Sequence, residues 1–252
     1  MKISINNRIY DAKDGQTIYD VAEQNGVDIP VLCHHPSLEP IGACRICAVE
    51  VEGMKNLQTA CTTKVFDGMK IYTATNRVIN ARKINLSLLL KVHPNDCMTC
   101  DANGNCKLQE LAYKYNIKIP SNEIELRGLP LDDADPFIVR DLNKCIQCQL
   151  CVRVCDEIEN MSIYSMVDRG YQTLPEPAFG VPLRESECVF CGQCATVCPV
   201  GAIVEKPAIG KTRWWEVEKE TTTCPYCGVG CQLDIFVDKR TKQVVKGIWI
   251  DD

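Results

Sequence analysis

The sequence predicts an α+β protein made of several small modules, each organised around its own cysteines. Three observations point there. Cysteine occurs 18 times in 252 residues while aromatics make up only 6%, the balance of small crosslinked units and not of one large core. Strand-type and helix-type periodicities alternate over short stretches. The run C-x2-C-x2-C-x3-C occurs twice, as "CIQCQLCVRVC" and "CVFCGQCATVC".

The formal charge is −5 and no long Lys/Arg run is present, which argues against a nucleic-acid partner and against a polybasic membrane patch. "MKISINNRIYDAKDG" lacks the apolar stretch of a secretory signal, and no twin-arginine pair is present. The greasiest segment, "INLSLLLKV", is far too short to span a bilayer. A cytoplasmic protein without membrane insertion is expected. In such a chain, many C-x-x-C pairs favour metal or cluster thiolates over disulfides.

The first module is expected over residues 1–76. Ile3, Ile5 and Ile9 alternate around Asn6-Asn7 and read as a hairpin. Thr17 is the expected N-cap of a helix that turns Ile18, Val21 and Ala22 inward and stops at Gly26. Cys33, Cys44, Cys47 and Cys61 follow as C-x10-C-x2-C-x13-C. Structural zinc usually takes two short hooks; here there is one hook and two ligands spread over loops, which suits a β-grasp fold wrapping a [2Fe–2S] cluster.

The second module is expected over residues 77–118. Val78, Ile79, Ile84, Leu88 and Leu89 fit a helix that must end before Pro94. His93, Cys97, Cys100 and Cys106 read as H-x3-C-x2-C-x5-C. The cysteine triplet lacks a fourth ligand and His93 stands four residues before it, so a [4Fe–4S] cluster with one His and three Cys is expected. A bystander His93 is the alternative. His34 and His35 read as solvated or hydrogen-bonded loop residues.

The third module, residues 119–210, carries the repeated run of bacterial two-cluster ferredoxins, in which the fourth cysteine of each run ligates the other cluster. One [4Fe–4S] cluster is therefore expected on Cys145, Cys148, Cys151 and Cys198, and a second on Cys188, Cys191, Cys194 and Cys155. Ile119–Phe137 reads as a surface connector. Met166–Glu185 is an insertion between the half-repeats that could serve as a docking surface.

The last stretch, residues 211–252, contains "TCPYCGVGC" with Cys224, Cys227 and Cys231, three cysteines at metal-ligand spacing without a fourth. It is an incomplete site and the candidate for an additional cluster or metal. Leu233, Ile235 and Val237, returning through Val244 and Ile248, read as a β-hairpin able to add to a partner's sheet. Of Trp214 and Trp215, at least one is expected in a core.

The order of these four cluster motifs resembles the N-terminal electron-transfer region of three related families. They are the large iron–sulfur subunit of complex I, [FeFe] hydrogenases, and the α subunit of NAD-linked molybdenum or tungsten formate dehydrogenases. The first set, spaced as Cys33, Cys44, Cys47 and Cys61, is similar to the variant at the N-terminus of the complex I subunit. "TTTCPYCGVGCQLDI" after "RWWEVEKE" looks like the start of the formate dehydrogenase molybdopterin domain, whose fourth cysteine would follow beyond Asp252.

The resemblance implies an electron relay, with no catalytic site of its own in these residues. It would connect a molybdopterin-containing formate dehydrogenase catalytic subunit to a flavin- and NAD(P)-binding iron–sulfur subunit, with soluble ferredoxin as a further candidate partner. A small stand-alone subunit of an electron-bifurcating complex is preferred over the front of a longer polypeptide. The rival readings are a subunit of an [FeFe] hydrogenase or complex I-like assembly, and a zinc-rich structural scaffold.

Overall fold

The computed structural model describes residues 1–119 and 123–249. Strands β1 (Lys2–Ile5) and β2 (Arg8–Asp11) form the expected hairpin. Asn6 and Asn7 turn it with φ of 51° and 67°, the left-handed pair that asparagine tolerates in a two-residue loop. Ile3 and Ile5 are buried, but Ile9 is 71% exposed, because β2 is the edge of the sheet and nothing packs over it.

Helix α1 (Ile18–Gln24) starts in a capping box. Thr17 Oγ1 accepts from Asp20 N, and an Asp20 carboxylate oxygen accepts from Thr17 N, which satisfies two otherwise orphaned donors. Strands β3 (Ala48–Val51), β4 (Gln58–Thr59) and β5 (Lys70–Tyr72) complete a five-stranded sheet of order β2-β1-β5-β3-β4. Strand β5 runs parallel to β1 and antiparallel to β3. Ile18, Val21 and Ala22 seal α1 onto this sheet against Ile3, Ile5 and Val49.

Helix α2 (Asn76–Lys91) begins at the Thr75 cap and ends before Pro94 as anticipated. Its inward face differs from the expected one: Val78, Arg82, Leu86 and Leu90 are buried, whereas Ile84 and Leu88 lie at 60% and 61% exposure. The i, i+4 row of the helix runs through Arg82, which a hydrophobicity reading discounts. Its guanidinium donates to Ala48 O at 2.7 Å and to Tyr115 Oη at 3.1 Å, so α2 is tied to both β3 and the end of helix α3 (Lys107–Lys114).

The third region holds β6 (Ile138–Arg140), α4 (Leu150–Arg153) continued by a wider turn through Val154–Ile158, β7 (Tyr164–Val167), β8 (Leu174–Pro177), α5 (Gln193–Val197) and β9 (Ile203–Glu205). Strands β6 and β9 pair antiparallel across the repeat. The connector before β6 is not merely superficial. Asp135 is 1% exposed and accepts from the N–H groups of Phe137 and Ile138, and Asp132 pairs with buried Arg140 at 3.0 Å. Pro120–Asn122 of the connector lie outside the described residues. The insertion supplies most of the β7–β8 hairpin, and Pro175 O accepts from Arg140 at 2.7 Å. Much of that insertion is therefore structural.

The C-terminal hairpin forms as β11 (Gln232–Asp238) and β12 (Val244–Trp249), but a third strand, β10 (Val217–Thr223), pairs with β11 over seven residues. "VEKETTT" has no apolar alternation, so its strand state comes from pairing and not from burial. Beneath these elements, Leu32, Ile46, Leu86, Leu108, Leu150 and Val200 belong to one apolar core drawn from three regions. That shared core brings the cysteine loops together.

Candidate metal centres

All 18 cysteines are unpaired thiols, and none of the closely spaced pairs is a disulfide. Among the described residues, no group of three or more His, Cys, Asp and Glu converges tightly enough for a single metal ion.

The structure brings Cys33, Cys44, Cys47 and Cys61 onto loops against the first sheet, with Cys33, Cys47 and Cys61 buried. Cys44 N donates to Cys33 Sγ at 3.5 Å, and Cys47 and Cys61 Sγ lie 3.4 Å apart. A hydrogen bond from the Cys44 thiol draws Cys33 down to about 6, against the cost of burial, with main-chain donors and the Arg153 charge adding smaller pulls. Cys47 falls to about 7 through the Cys61 thiol. Cys44 and Cys61 are pushed up because each holds the shared proton. Cys33 and Cys47 are thus the more acidic thiols of a site largely shielded from water.

In the second module His93 is 8% exposed, and burial lowers its pKa to about 4. The ring is neutral, as a metal ligand must be. Its Nδ1 is buried without a hydrogen-bond partner, while the Lys144 main chain lies beside the ring. Cys106 is pushed up to about 11 and Cys100 is also raised, both by burial. Gly201 packs so closely here that a Cβ would stand 2.6 Å from Cys100 Sγ. The residue after Pro-Val must therefore be glycine for the Cys100 loop to reach the third module.

The two repeated runs share a backbone device. After the first cysteine of each run, Gln147 N donates to Cys145 Sγ and Phe190 N to Cys188 Sγ, both at 3.4 Å. Gln147 and Phe190 have φ of 57° and 55°, and the residues following the second cysteine, Gln149 and Gly192, have 62° and 83°. Left-handed residues interspersed in this way turn successive N–H groups toward one concavity, a nest for negative charge. Cys145, Cys148, Cys151 and Cys198 are all raised by burial. Cys194 rises to about 12 for the same reason, and Cys188 and Cys191, less deep in the protein, rise as well. Cys155 is buried, with Ile163 N donating to its Sγ.

Buried cysteines, main-chain donors aimed at sulfur, an orphaned imidazole nitrogen and a glycine cradle fit iron–sulfur ligation. The C-terminal set is different. Cys224 is buried, Cys227 and Cys231 are exposed, and Cys224 N bonds Cys231 O at 2.8 Å across the hairpin mouth. Trp214 and Trp215 join this segment to the second module. Trp214 Nε1 donates to Asp101 O at 3.0 Å, Trp215 lies over Gly104, and Arg213 donates to Cys100 O and Met98 O.

Sequence reasoning missed four groups beside the sulfurs. Arg153 donates to Cys33 O at 2.7 Å; Arg127 donates to Cys145 O at 2.9 Å; Tyr164 Oη lies 3.7 Å from Cys194 Sγ; Arg140 sits 5.2 Å from the Tyr164 ring centroid. Arg153 lies inside a cysteine run and Arg140 shortly before it, which is their sequence signal; Arg127 and Tyr164 have none.

Four family descriptions match the chain in order. They are a 2Fe-2S iron-sulfur cluster binding domain over residues 1–76, the NADH-ubiquinone oxidoreductase-G iron-sulfur binding region over 82–120, a 4Fe-4S dicluster domain over 144–202, and a molybdopterin oxidoreductase Fe4S4 domain over 217–248. The G 2 subunit of NADH-quinone oxidoreductase from Rhizobium meliloti is 35% identical over 99% of this chain and 29% of its own length. The NADP-reducing hydrogenase subunit HndD of Solidesulfovibrio fructosivorans is 38% identical over 86% of this chain and 37% of its own. The chain thus spans about a third of each of these two relatives. A chain in the crystal structure of NAD+-reducing [NiFe]-hydrogenase in the H2-reduced state superposes with a TM-score of 0.77 at 28% identity, covering 84% of this chain and 89% of that one.

Proposed function

From a chain that carries the iron–sulfur N-terminal region shared by the G-type subunits of NADH-quinone oxidoreductases and by hydrogenase-like subunits, we propose a relay of single electrons within an NAD(P)-linked oxidoreductase complex. One [2Fe–2S] cluster is held by Cys33, Cys44, Cys47 and Cys61. Three [4Fe–4S] clusters are held by His93 with Cys97, Cys100 and Cys106; by Cys145, Cys148, Cys151 and Cys198; and by Cys188, Cys191, Cys194 and Cys155. When bound, such clusters supply one-electron chemistry tuned by ligand identity, hydrogen bonding and burial.

The observation that carries this reading is the shared core. Cys33 and Cys148 lie within it, and Gly201 brings Cys100 against the segment that follows Cys198. The Cys145 set is thereby flanked by the [2Fe–2S] loop on one side and the His93 module on another. The chain's own residues supply the rest: apolar side chains exclude water, main-chain N–H groups face the sulfurs, and fixed charges set the local field.

A flavin- and NAD(P)-binding subunit is one partner in this reading. Toward the C-terminal segment we place a molybdopterin-containing formate dehydrogenase subunit, a reading supported by the molybdopterin Fe4S4 match over residues 217–248. A hydrogenase partner is the second reading, favoured by HndD and by the [NiFe]-hydrogenase likeness. Anaerobic purification with iron analysis and EPR tests the relay: about 14 iron atoms per chain are expected for the four clusters. Zinc without iron would end it. The copurifying subunit, with molybdopterin or with a hydrogen-activating centre, decides between formate and hydrogen.

A further inference from the structure

Three arginines are buried near the cysteine loops, and they are partnered in different ways. Arg82, 3% exposed, donates to Ala48 O beside Cys47 and to Tyr115 Oη. Arg140, 3% exposed, has a carboxylate partner in Asp132. Arg153, 7% exposed, has none: among the described residues no carboxylate forms an ion pair with it. Its guanidinium donates to Cys33 O at 2.7 Å and to Glu39 O, and its Nε is buried without an acceptor. The carboxylate one turn away, Glu157, accepts from Glu39 N instead. Main-chain carbonyls lower the cost of burying a guanidinium but do not cancel its charge.

We propose that Arg153 is a fixed counter-charge of the [2Fe–2S] site, reaching from the Cys151–Cys155 turn across the module boundary to help hold that site's reduction potential up. This inference rests on the assignment of Cys33, Cys44, Cys47 and Cys61 to a [2Fe–2S] cluster. Four thiolates around two irons and two sulfides leave a net negative charge, and each added electron makes it one unit more negative. A buried cation at the Cys33 carbonyl favours the reduced form, and the low dielectric of the shared core leaves that field poorly screened. The side chain leaves its own turn to reach Cys33, so the effect falls mainly on the [2Fe–2S] site and less on the His93 set. Arg153 is a positioning residue in this account and touches no iron.

The test is an anaerobic dithionite titration of the full chain, with each cluster followed by its own EPR signal. In R153Q the [2Fe–2S] midpoint falls by at least about tenfold in the reduction equilibrium constant, or ~59 mV for one electron. The His93-set signal moves less than half as far. R153K, which keeps the charge, stays near the wild-type potential. An unchanged midpoint in R153Q, or an equal fall in R153K, overturns the proposal. If R153Q does not assemble the [2Fe–2S] centre, R153K decides: assembly at the wild-type potential supports a charge requirement, and failure of both variants shows a packing role and overturns it. A wild-type protein without any [2Fe–2S] signal would instead refute the ligand assignment.

Discussion

Cys148 and Cys227 each stand second in a run that opens C-x2-C, yet they occupy opposite environments. Cys148 is 8% exposed in a core drawn from three regions. Cys227 lies exposed on the loop between β10 and β11, beside Tyr226 and Val229 at 88% and 79% exposure. Both runs have the same opening spacing in sequence. Around Cys148, apolar side chains from other modules close over the thiol, and burial pushes its pKa up. A cysteine set is closed off by what packs over it, and the C-terminal set has a mouth still open to whatever adjoins it.

The largest expected contrast follows directly. Cys148→Ser should remove about four iron atoms per chain by the stoichiometry of one [4Fe–4S] cluster and weaken the modules around it, whereas Cys227→Ser should leave the other sets loaded. Iron analysis and EPR of the two variants read this, and equal iron loss from both would erase the distinction. Leu86, fully buried in the shared core, should cost about 2–5 kcal/mol as Leu86→Ala. The denaturant midpoint measures it, and a loss confined to the second module's EPR signal would show that the core is not shared.

A smaller and more selective effect is expected from His93→Cys. Exchanging a neutral imidazole for a thiolate makes one cluster more negative and lowers its potential. Potentiometric EPR should show one [4Fe–4S] signal displaced downward, and a spectrum with every signal unmoved would remove His93 from the ligand set. The least effect belongs to Lys246→Ala. The Lys246–Glu205 ion pair at 3.1 Å joins β12 to β9, and its loss should cost less than about 1 kcal/mol. It should appear mainly as faster proteolysis after Trp215, and a large drop in global stability would show the C-terminal sheet to be integral to the core.

Much of the local structure was legible because it depends on neighbours in sequence. The Asn6-Asn7 turn, the Thr17 cap and the stop before Pro94 are short-range effects of backbone sterics and side-chain hydrogen bonding. The inner face of α2 was not legible, since Arg82 finds its acceptors, Ala48 O and Tyr115 Oη, 34 and 33 residues away. Strand β10 was missed because its polar residues are ordered by pairing with β11. The composition of the connector and the insertion suggests surface features, but Asp132, Asp135 and Pro175 anchor them to the third module.

By itself, the sequence determined how the cysteines and His93 are spaced along the chain, because spacing within a loop is a local property. Tertiary structure decided which of those groups are buried, which meet across the shared core, and where unpaired positive charge such as that of Arg153 comes to rest. Those outcomes depend on desolvation and on contacts between residues far apart in the chain, and no local pattern encodes either.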